Sequence, residues 1–183
     1  MTLYRDRKQP RLTSFDYATP GAYFITICSH DKQVIFGNVR DGRVVLNTLG
    51  QLVDSHWRKL PEHWPHASVD LYVVMPNHLH GILMLESVDE TGQAASATTI
   101  VGGFKSGVTK EWRLLSQDRM ATIWQRGFYD RVIRDEDELR AVQEYIQNNP
   151  LRWELDRDNP AWNHAGKADT LPWEKEGLAG GLW

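Results

Sequence analysis

The strongest candidates for chemistry in this chain are two histidines separated by one residue, His78 and His80, on either side of Leu79. Residues i and i+2 of a β-strand point to the same side, so a strand here would present both imidazoles to one patch. Imidazole can bind manganese, zinc, nickel or iron, and one carboxamide or carboxylate oxygen plus substrate oxygens would complete the coordination. Two strand histidines can also simply line a polar face, and the spacing alone leaves both interpretations open.

Strands rich in aromatic and β-branched residues must position this pair. The Asp41-Gly42 pair favours a hairpin, and Pro76-Asn77 predicts the turn before the histidines. The two strands joined by that turn are predicted to lie in the centre of the sheet. The pattern predicts strands at 22–29, 34–39, 43–46, 68–75 and 78–86, and short extended pieces at 123–125 and 128–133.

Apolar residues at helical spacing predict three helices, at 47–64, 99–116 and 135–149. Asp135 and Glu138 resemble a capping box, and Pro150 is expected to disfavour helical geometry at Asn149 and so to end the third helix. Residues 87–98 are predicted to form a polar loop. The order of elements predicts an α+β protein with one mainly antiparallel sheet and helices packed against it.

Composition places the chain among ordinary folded proteins. It has 183 residues, 41% of them hydrophobic and 25% charged, which fits one domain. No apolar run approaches the roughly 20 residues of a membrane span, and the charged start of the chain is unlike a secretory signal, so a cytoplasmic protein is expected. Cys28 is the only cysteine, and the net charge of −3 means that any contact with DNA must be local.

Five blocks of sequence together resemble a known family. They are GAYFITIC at 21–28, VVMPNHLHGI at 73–82, GFKS at 103–106, WQRGFYD at 124–130 and EYIQNNPL at 144–151. In this order they resemble the single-tyrosine HUH transposases, and among these the REP-associated tyrosine transposases. The resemblance covers about residues 17–155. We therefore expect a catalytic domain at 1–155 that begins with a basic arm at about 1–16, and an irregular tail at 156–183.

The resemblance implies a ferredoxin-like or RRM-like HUH nuclease fold with the histidine pair on a central strand. It further implies that Tyr145 is the nucleophile and Asn149 the third ligand of a divalent ion, Mg²⁺ or Mn²⁺ foremost. Residues i and i+4 are neighbours on a helix, which agrees with this pairing. The implied reaction cleaves and rejoins single-stranded or hairpin DNA through a 5′-phosphotyrosine intermediate. Tyr129 is the rival nucleophile, because it lies among arginines that could hold a phosphate.

Basic side chains on predicted surfaces are the candidates for phosphate contacts. Trp153 and Trp162 could in addition stack on unpaired bases. Two other functions stay open: a domesticated protein that binds structured DNA without cutting it, and a metal-dependent hydrolase. The protein is expected to act as a monomer or a homodimer, with the tyrosine in its own or a partner's site. The candidate DNA contacts are Arg5, Arg7, Lys8, Arg11, Lys105, Lys110, Arg113, Arg126, Arg131 and Arg134.

Overall fold

A computed structural model describes residues 19–87, 95–155 and 159 of the chain. The predicted basic arm, with Arg5, Arg7, Lys8 and Arg11, and most of the predicted tail lie outside these residues. In chain order the elements are β1 (Gly21–Cys28), β2 (Gly37–Arg40), β3 (Arg43–Leu46), α1 (Thr48–Arg58), α2 (Leu60–His63), β4 (Ala67–Val74), β5 (His78–Leu85), α3 (Ala97–Leu115), β6 (Tyr129–Ile133) and α4 (Glu136–Asn148).

The main sheet has the strand order β4-β5-β1-β6, and every neighbouring pair in it is antiparallel. Helices connect β1 to β4 and β5 to β6, which gives the strand order and connections of a ferredoxin-like fold. The predicted α+β class, with an antiparallel sheet packed against helices, is therefore confirmed.

Alternation along β1 divides the core into two layers. Tyr23, Ile25 and Ile27 are fully buried on one face, in a cluster that includes the apolar residues of α1 and α3. Ala22 and Phe24 point to the other face, where they pack with apolar residues of α4. The sheet is thus covered on both faces, and the side of a strand on which a residue falls decides which helices it meets.

Two expectations about the sheet were wrong. We placed both strands of the histidine turn in its centre, but β4 is an edge strand and the inner strands are β5 and β1. The predicted hairpin does form, as β2 and β3, but as a separate two-stranded sheet. Both edges of β1 are already hydrogen-bonded, to β5 and to β6, so the hairpin has no free edge of β1 to join.

Backbone details corrected the predicted bounds of two other elements. The first helix breaks at Lys59, which has φ −87° and ψ 4° and separates α1 from α2. An unbroken helix would press the ring of Pro61 against the carbonyl of Trp57, whereas proline is tolerated at the start of a new helix. The predicted extended piece at 123–125 is not a strand, and Trp124 forms only an isolated bridge with Ser29.

The ends of α4 also differ from expectation. Asp135 caps the helix by accepting from the Glu138 amide at 2.8 Å, but the Glu138 carboxylate accepts from the Arg134 amide rather than completing a reciprocal capping box. Asn149 keeps helical angles, φ −58° and ψ −43°, although proline follows it, so our expectation for its geometry was wrong. Asn149 takes part in two tight turns here: its main-chain amide donates to Ile146 O, and its main-chain carbonyl accepts from Arg152 N.

Candidate metal and tyrosine site

The two histidines begin β5 and share the face of the sheet that α4 covers. His78 is fully buried and His80 is 5% exposed, and their ring centroids are 4.4 Å apart. Leu79 between them joins the core on the opposite face. Strand alternation therefore places both imidazoles in one patch, in agreement with the spacing argument.

Each imidazole has a polar neighbour at its Nδ1 atom. Asn77 Oδ1 lies 2.8 Å from Nδ1 of His78, and Thr26 Oγ1 lies 2.8 Å from Nδ1 of His80. Such contacts fix the orientation of a ring and leave its Nε2 side to face a ligand or substrate. Phe24 stacks on His80 with ring centroids 5.3 Å apart, which restrains that ring further.

Helix α4 places Tyr145 beside this pair. The tyrosine hydroxyl lies 3.4 Å from Nε2 of His80, and the two ring centroids are 5.3 Å apart. Phe24 contacts the Tyr145 ring edge-on at 6.1 Å. The tyrosine and the histidines that meet here belong to one chain.

Asn149 lies one helical turn beyond the tyrosine and is only 2% exposed. Its Oδ1 atom is buried and has no hydrogen-bond partner among the described residues. A buried carbonyl oxygen without a partner is costly, and one function that would justify the cost is binding a cation. Two imidazoles and an amide oxygen are suitable ligands for a divalent ion. The side chains fit the implied metal, although the described part of the chain holds no group of three His, Cys, Asp or Glu that could bind one.

Polar contacts near the start and the middle of α4 hold the helix against the sheet. Glu138 is an acceptor for two groups: Arg131 Nε at 2.6 Å and the Arg134 amide at 2.9 Å. Gln143 Nε2 donates to Asp70 Oδ2 on β4 at 2.6 Å. These contacts fix the helix in register with β6 and β4, so that Tyr145 faces the inner strands.

Tyr129, the rival nucleophile, lies on the same face of the sheet as the histidines. It pairs with Thr26 across β6 and β1, and Thr26 pairs with His80 across β1 and β5. Opposite residues of antiparallel strands share a face, and each strand adds a spacing of about 4.8 Å. The backbones of Tyr129 and His80 are therefore separated by about 10 Å, whereas the Tyr145 hydroxyl lies beside the imidazole.

Three of the candidate DNA contacts are brought together on α3. Lys105, Lys110 and Arg113 line a cleft of about 520 Å³ that is open to solvent. Burial lowers the pKa of Lys105, whose ammonium donates to the carbonyls of Gln125 and Gly127 at 2.8 and 2.7 Å. Because α3 packs on the opposite face of the sheet from α4, this cleft is separate from the histidine pair.

The arginines near β6 have different surroundings. Arg126 and Arg134 are exposed, but Arg131 is 22% exposed and forms an ion pair with Glu138, which is 7% exposed. The guanidinium of Arg131 is thus already paired with a carboxylate of the protein, and its contact with DNA stays a prediction.

Sequence reasoning missed three neighbours of the histidines. Thr26 and Phe24 lie on the site face of β1, and alternation in the strand beside β5 was the signal that could have found them. Asn77 was assigned only to the turn. Trp153, proposed as a base-stacking residue, lies in a 3₁₀ turn after α4 with its ring 6.3 Å from that of His78.

No helix in the described ranges is long and apolar enough to cross a membrane.

The chain is similar to proteins of the family that its motifs resemble. No protein-family profile matches it. It is 37% identical over 167 residues to an uncharacterized protein of Haemophilus influenzae, with 82% of this chain and 92% of that protein covered. It is 27% identical over 143 residues to a second Haemophilus influenzae protein, which is assigned as a REP-associated tyrosine transposase, with 75% and 74% covered.

A solved structure supports the fold. It is that of a REP-associated tyrosine transposase bound to a REP hairpin, and it matches with a TM-score of 0.51 and 21% identity over 83% of this chain and 74% of that one. At this level of identity the match shows the shared α+β architecture. By its sequence blocks and its 27% identity to an assigned REP-associated tyrosine transposase, the chain is similar to that family, whose α+β architecture it shares.

Proposed function

We propose that this protein cleaves and rejoins single-stranded DNA with Tyr145 as the nucleophile and a divalent ion held by His78, His80 and Asn149. The observation that carries the proposal is the approach of the Tyr145 hydroxyl to Nε2 of His80, 3.4 Å apart in one chain. The relatives support the class of reaction, because one is assigned as a tyrosine transposase and one solved structure is that of such a transposase bound to a REP hairpin.

In the proposed reaction the Tyr145 oxygen attacks the scissile phosphorus. A phosphorus–oxygen bond to the tyrosine forms and the bond to the 3′ oxygen breaks. The phenol loses its proton and the leaving 3′ oxygen gains one, so a 5′-phosphotyrosine and a free 3′-hydroxyl result. One phosphodiester replaces another, and no nucleotide triphosphate is consumed.

The surroundings of the tyrosine must assist this attack, because a free phenol has a pKa near 10 and is a weak nucleophile at neutral pH. When bound, the ion would orient a non-bridging phosphate oxygen and stabilise negative charge in the transition state. The chain itself contributes position: Phe24 packs against both the His80 and Tyr145 rings and keeps them side by side.

A hairpin oligonucleotide with a single-stranded extension, labelled at either end, tests the reaction. With Mn²⁺, a 3′ label should move into a protein-linked band on a denaturing gel, while a 5′ label should appear only in a shortened strand. Chelator, His78→Ala and His80→Ala should each abolish the linked band. His63→Ala, at an exposed position on α2, is the matched control and should retain it. A linked band that survives both site substitutions would exclude the proposed mechanism, and hairpin binding with no linked band would favour the non-cleaving alternative.

We further propose that the cleft on α3 binds DNA phosphates. It gathers three basic side chains in a protein whose overall charge is −3, so a local group of this kind would supply the attraction to DNA. Lys105 and Arg113 also donate to main-chain carbonyls, whereas Lys110 is exposed. Replacing Lys110 with Gln should weaken hairpin binding and reduce the slope of log affinity against log salt by about 0.7–0.9. Lys59→Gln, at an exposed position away from the cleft, should leave that slope unchanged. An unchanged slope for Lys110→Gln would remove the cleft from the binding surface.

A further inference from the structure

Asn77 lies in the turn between β4 and β5, and its side-chain amide has a defined orientation. The residue is 1% exposed, and its Nδ2 donates to the main-chain carbonyl of Lys32 at 3.0 Å. A carbonyl oxygen can only accept, so the nitrogen of the amide must face Lys32 and the oxygen must face the other way. The main-chain carbonyl of Asn77 accepts from the main-chain amide of Ser29 at 2.9 Å, which connects the turn to the end of β1.

The amide oxygen oriented in this way lies 2.8 Å from Nδ1 of His78. An amide oxygen cannot donate, so the hydrogen in this contact must belong to the imidazole. His78, when neutral, therefore carries its proton on Nδ1 and its lone pair on Nε2. A neutral imidazole binds a metal through the nitrogen that has the lone pair, so this tautomer is set for ligation through Nε2.

The contact of His80 does not impose a tautomer in the same way. Its Nδ1 faces the Thr26 hydroxyl, which can either donate or accept, and its Nε2 faces the Tyr145 hydroxyl, which can do the same. Either neutral tautomer of His80 is compatible with these two contacts. The Asn77 oxygen that faces His78, by contrast, has a single role, that of acceptor.

We propose that Asn77 is a positioning residue that fixes the Nδ1-protonated tautomer of His78 and so prepares its Nε2 atom to bind the divalent ion. The part about the ion rests on the proposed function. The part about the tautomer does not, since it follows from the hydrogen bonds of the metal-free protein. A residue in this position typically changes metal affinity by about 10–100-fold when it is replaced.

Long-range ¹⁵N–¹H correlation spectra of the metal-free full chain report directly which ring nitrogen of His78 carries the proton. We expect Nδ1–H in the parent protein at a pH where the ring is neutral. Asn77→Leu should shift the population toward Nε2–H, and calorimetric titration with Mn²⁺ should give a dissociation constant about 10–100-fold higher.

The parent protein alone can overturn the inference, because Nε2–H at His78 would contradict it whether or not Asn77→Leu folds. An unchanged tautomer in folded Asn77→Leu would contradict it as well. Failure of the proposed function has a different signature: the parent would show Nδ1–H at His78 but would neither bind Mn²⁺ nor form the tyrosine-linked band.

Discussion

Replacing Tyr145 with phenylalanine removes one oxygen atom and leaves the packing of the ring in place. The ring contacts with Phe24 and His80, at centroid distances of 6.1 and 5.3 Å, do not involve the hydroxyl. The hydroxyl is 3.4 Å from His80 Nε2, a long separation for a hydrogen bond, so its loss should cost no more than about 0.5–1 kcal/mol. In a chain of 183 residues that corresponds to a fall in Tm of about 1–4 °C.

The effect on chemistry should be complete, because without the phenolic oxygen no phosphotyrosine bond can form. A 3′-labelled hairpin oligonucleotide incubated with Mn²⁺ should give no protein-linked band with Tyr145→Phe. Binding of the same hairpin, measured without metal, should remain within about twofold of the parent, since DNA binding does not require the covalent bond.

Tyr129→Phe is the matched control, because it removes the same atom from a tyrosine on the same face of the sheet. Its backbone lies two strands from His80, so we expect it to retain the linked band. A linked band that persists in Tyr145→Phe would refute the assignment of the nucleophile. If the band also disappeared in Tyr129→Phe, the nucleophile would be Tyr129.

Three other outcomes follow from the geometry. Asn149→Ala removes a buried oxygen that has no described partner, so the Tm of the metal-free protein should stay the same or rise. The increase in Tm caused by Mn²⁺ should become smaller. A lower metal-free Tm together with an undiminished effect of Mn²⁺ would contradict this prediction. A mixture of His78→Ala and Tyr145→Phe proteins should stay inactive, because the tyrosine meets the histidines of its own chain, whereas restored cleavage would indicate a shared site. Gly81→Ala should lower the free energy of unfolding, measured in urea, by about 1–3 kcal/mol, because the new Cβ would lie 2.7 Å from the buried indole of Trp57. Gly102→Ala, which has open space around its Cβ, is the control.

The architecture could be predicted because local patterns and the global fold agree. The aromatic and β-branched residues of β1, the Asp-Gly pair of the hairpin and the apolar stripe of α4 are short-range signals, and each predicted an element that the structure contains. The errors arose where a long-range contact decided the outcome. The edge position of β4 depends on which strands pair, and pairing between distant segments leaves no local signal in a single sequence.

The shared face of His78 and His80 could be predicted from their spacing, whereas most of their neighbours could not. That His78 and His80 would share a face follows from strand geometry alone. The proximity of Tyr145 came from resemblance, since no spacing rule joins a strand to a helix 65 residues later. Thr26 could not be selected from the other threonines without the register of β1 on β5, which is set by the whole strand pair.

Helix α4 is secured at both ends by residues that take no part in chemistry. Near its start, Glu138 joins it to Arg131 of β6, and beyond its end the 3₁₀ turn places Leu151 against Gly42 of the hairpin, where a Cβ would collide with the leucine side chain. In the proposed reaction, the entropy of bringing the tyrosine to the histidines is therefore lost once, when the chain folds, and is not lost again each time DNA binds. Loosening either attachment should slow turnover without altering any group at the reaction centre.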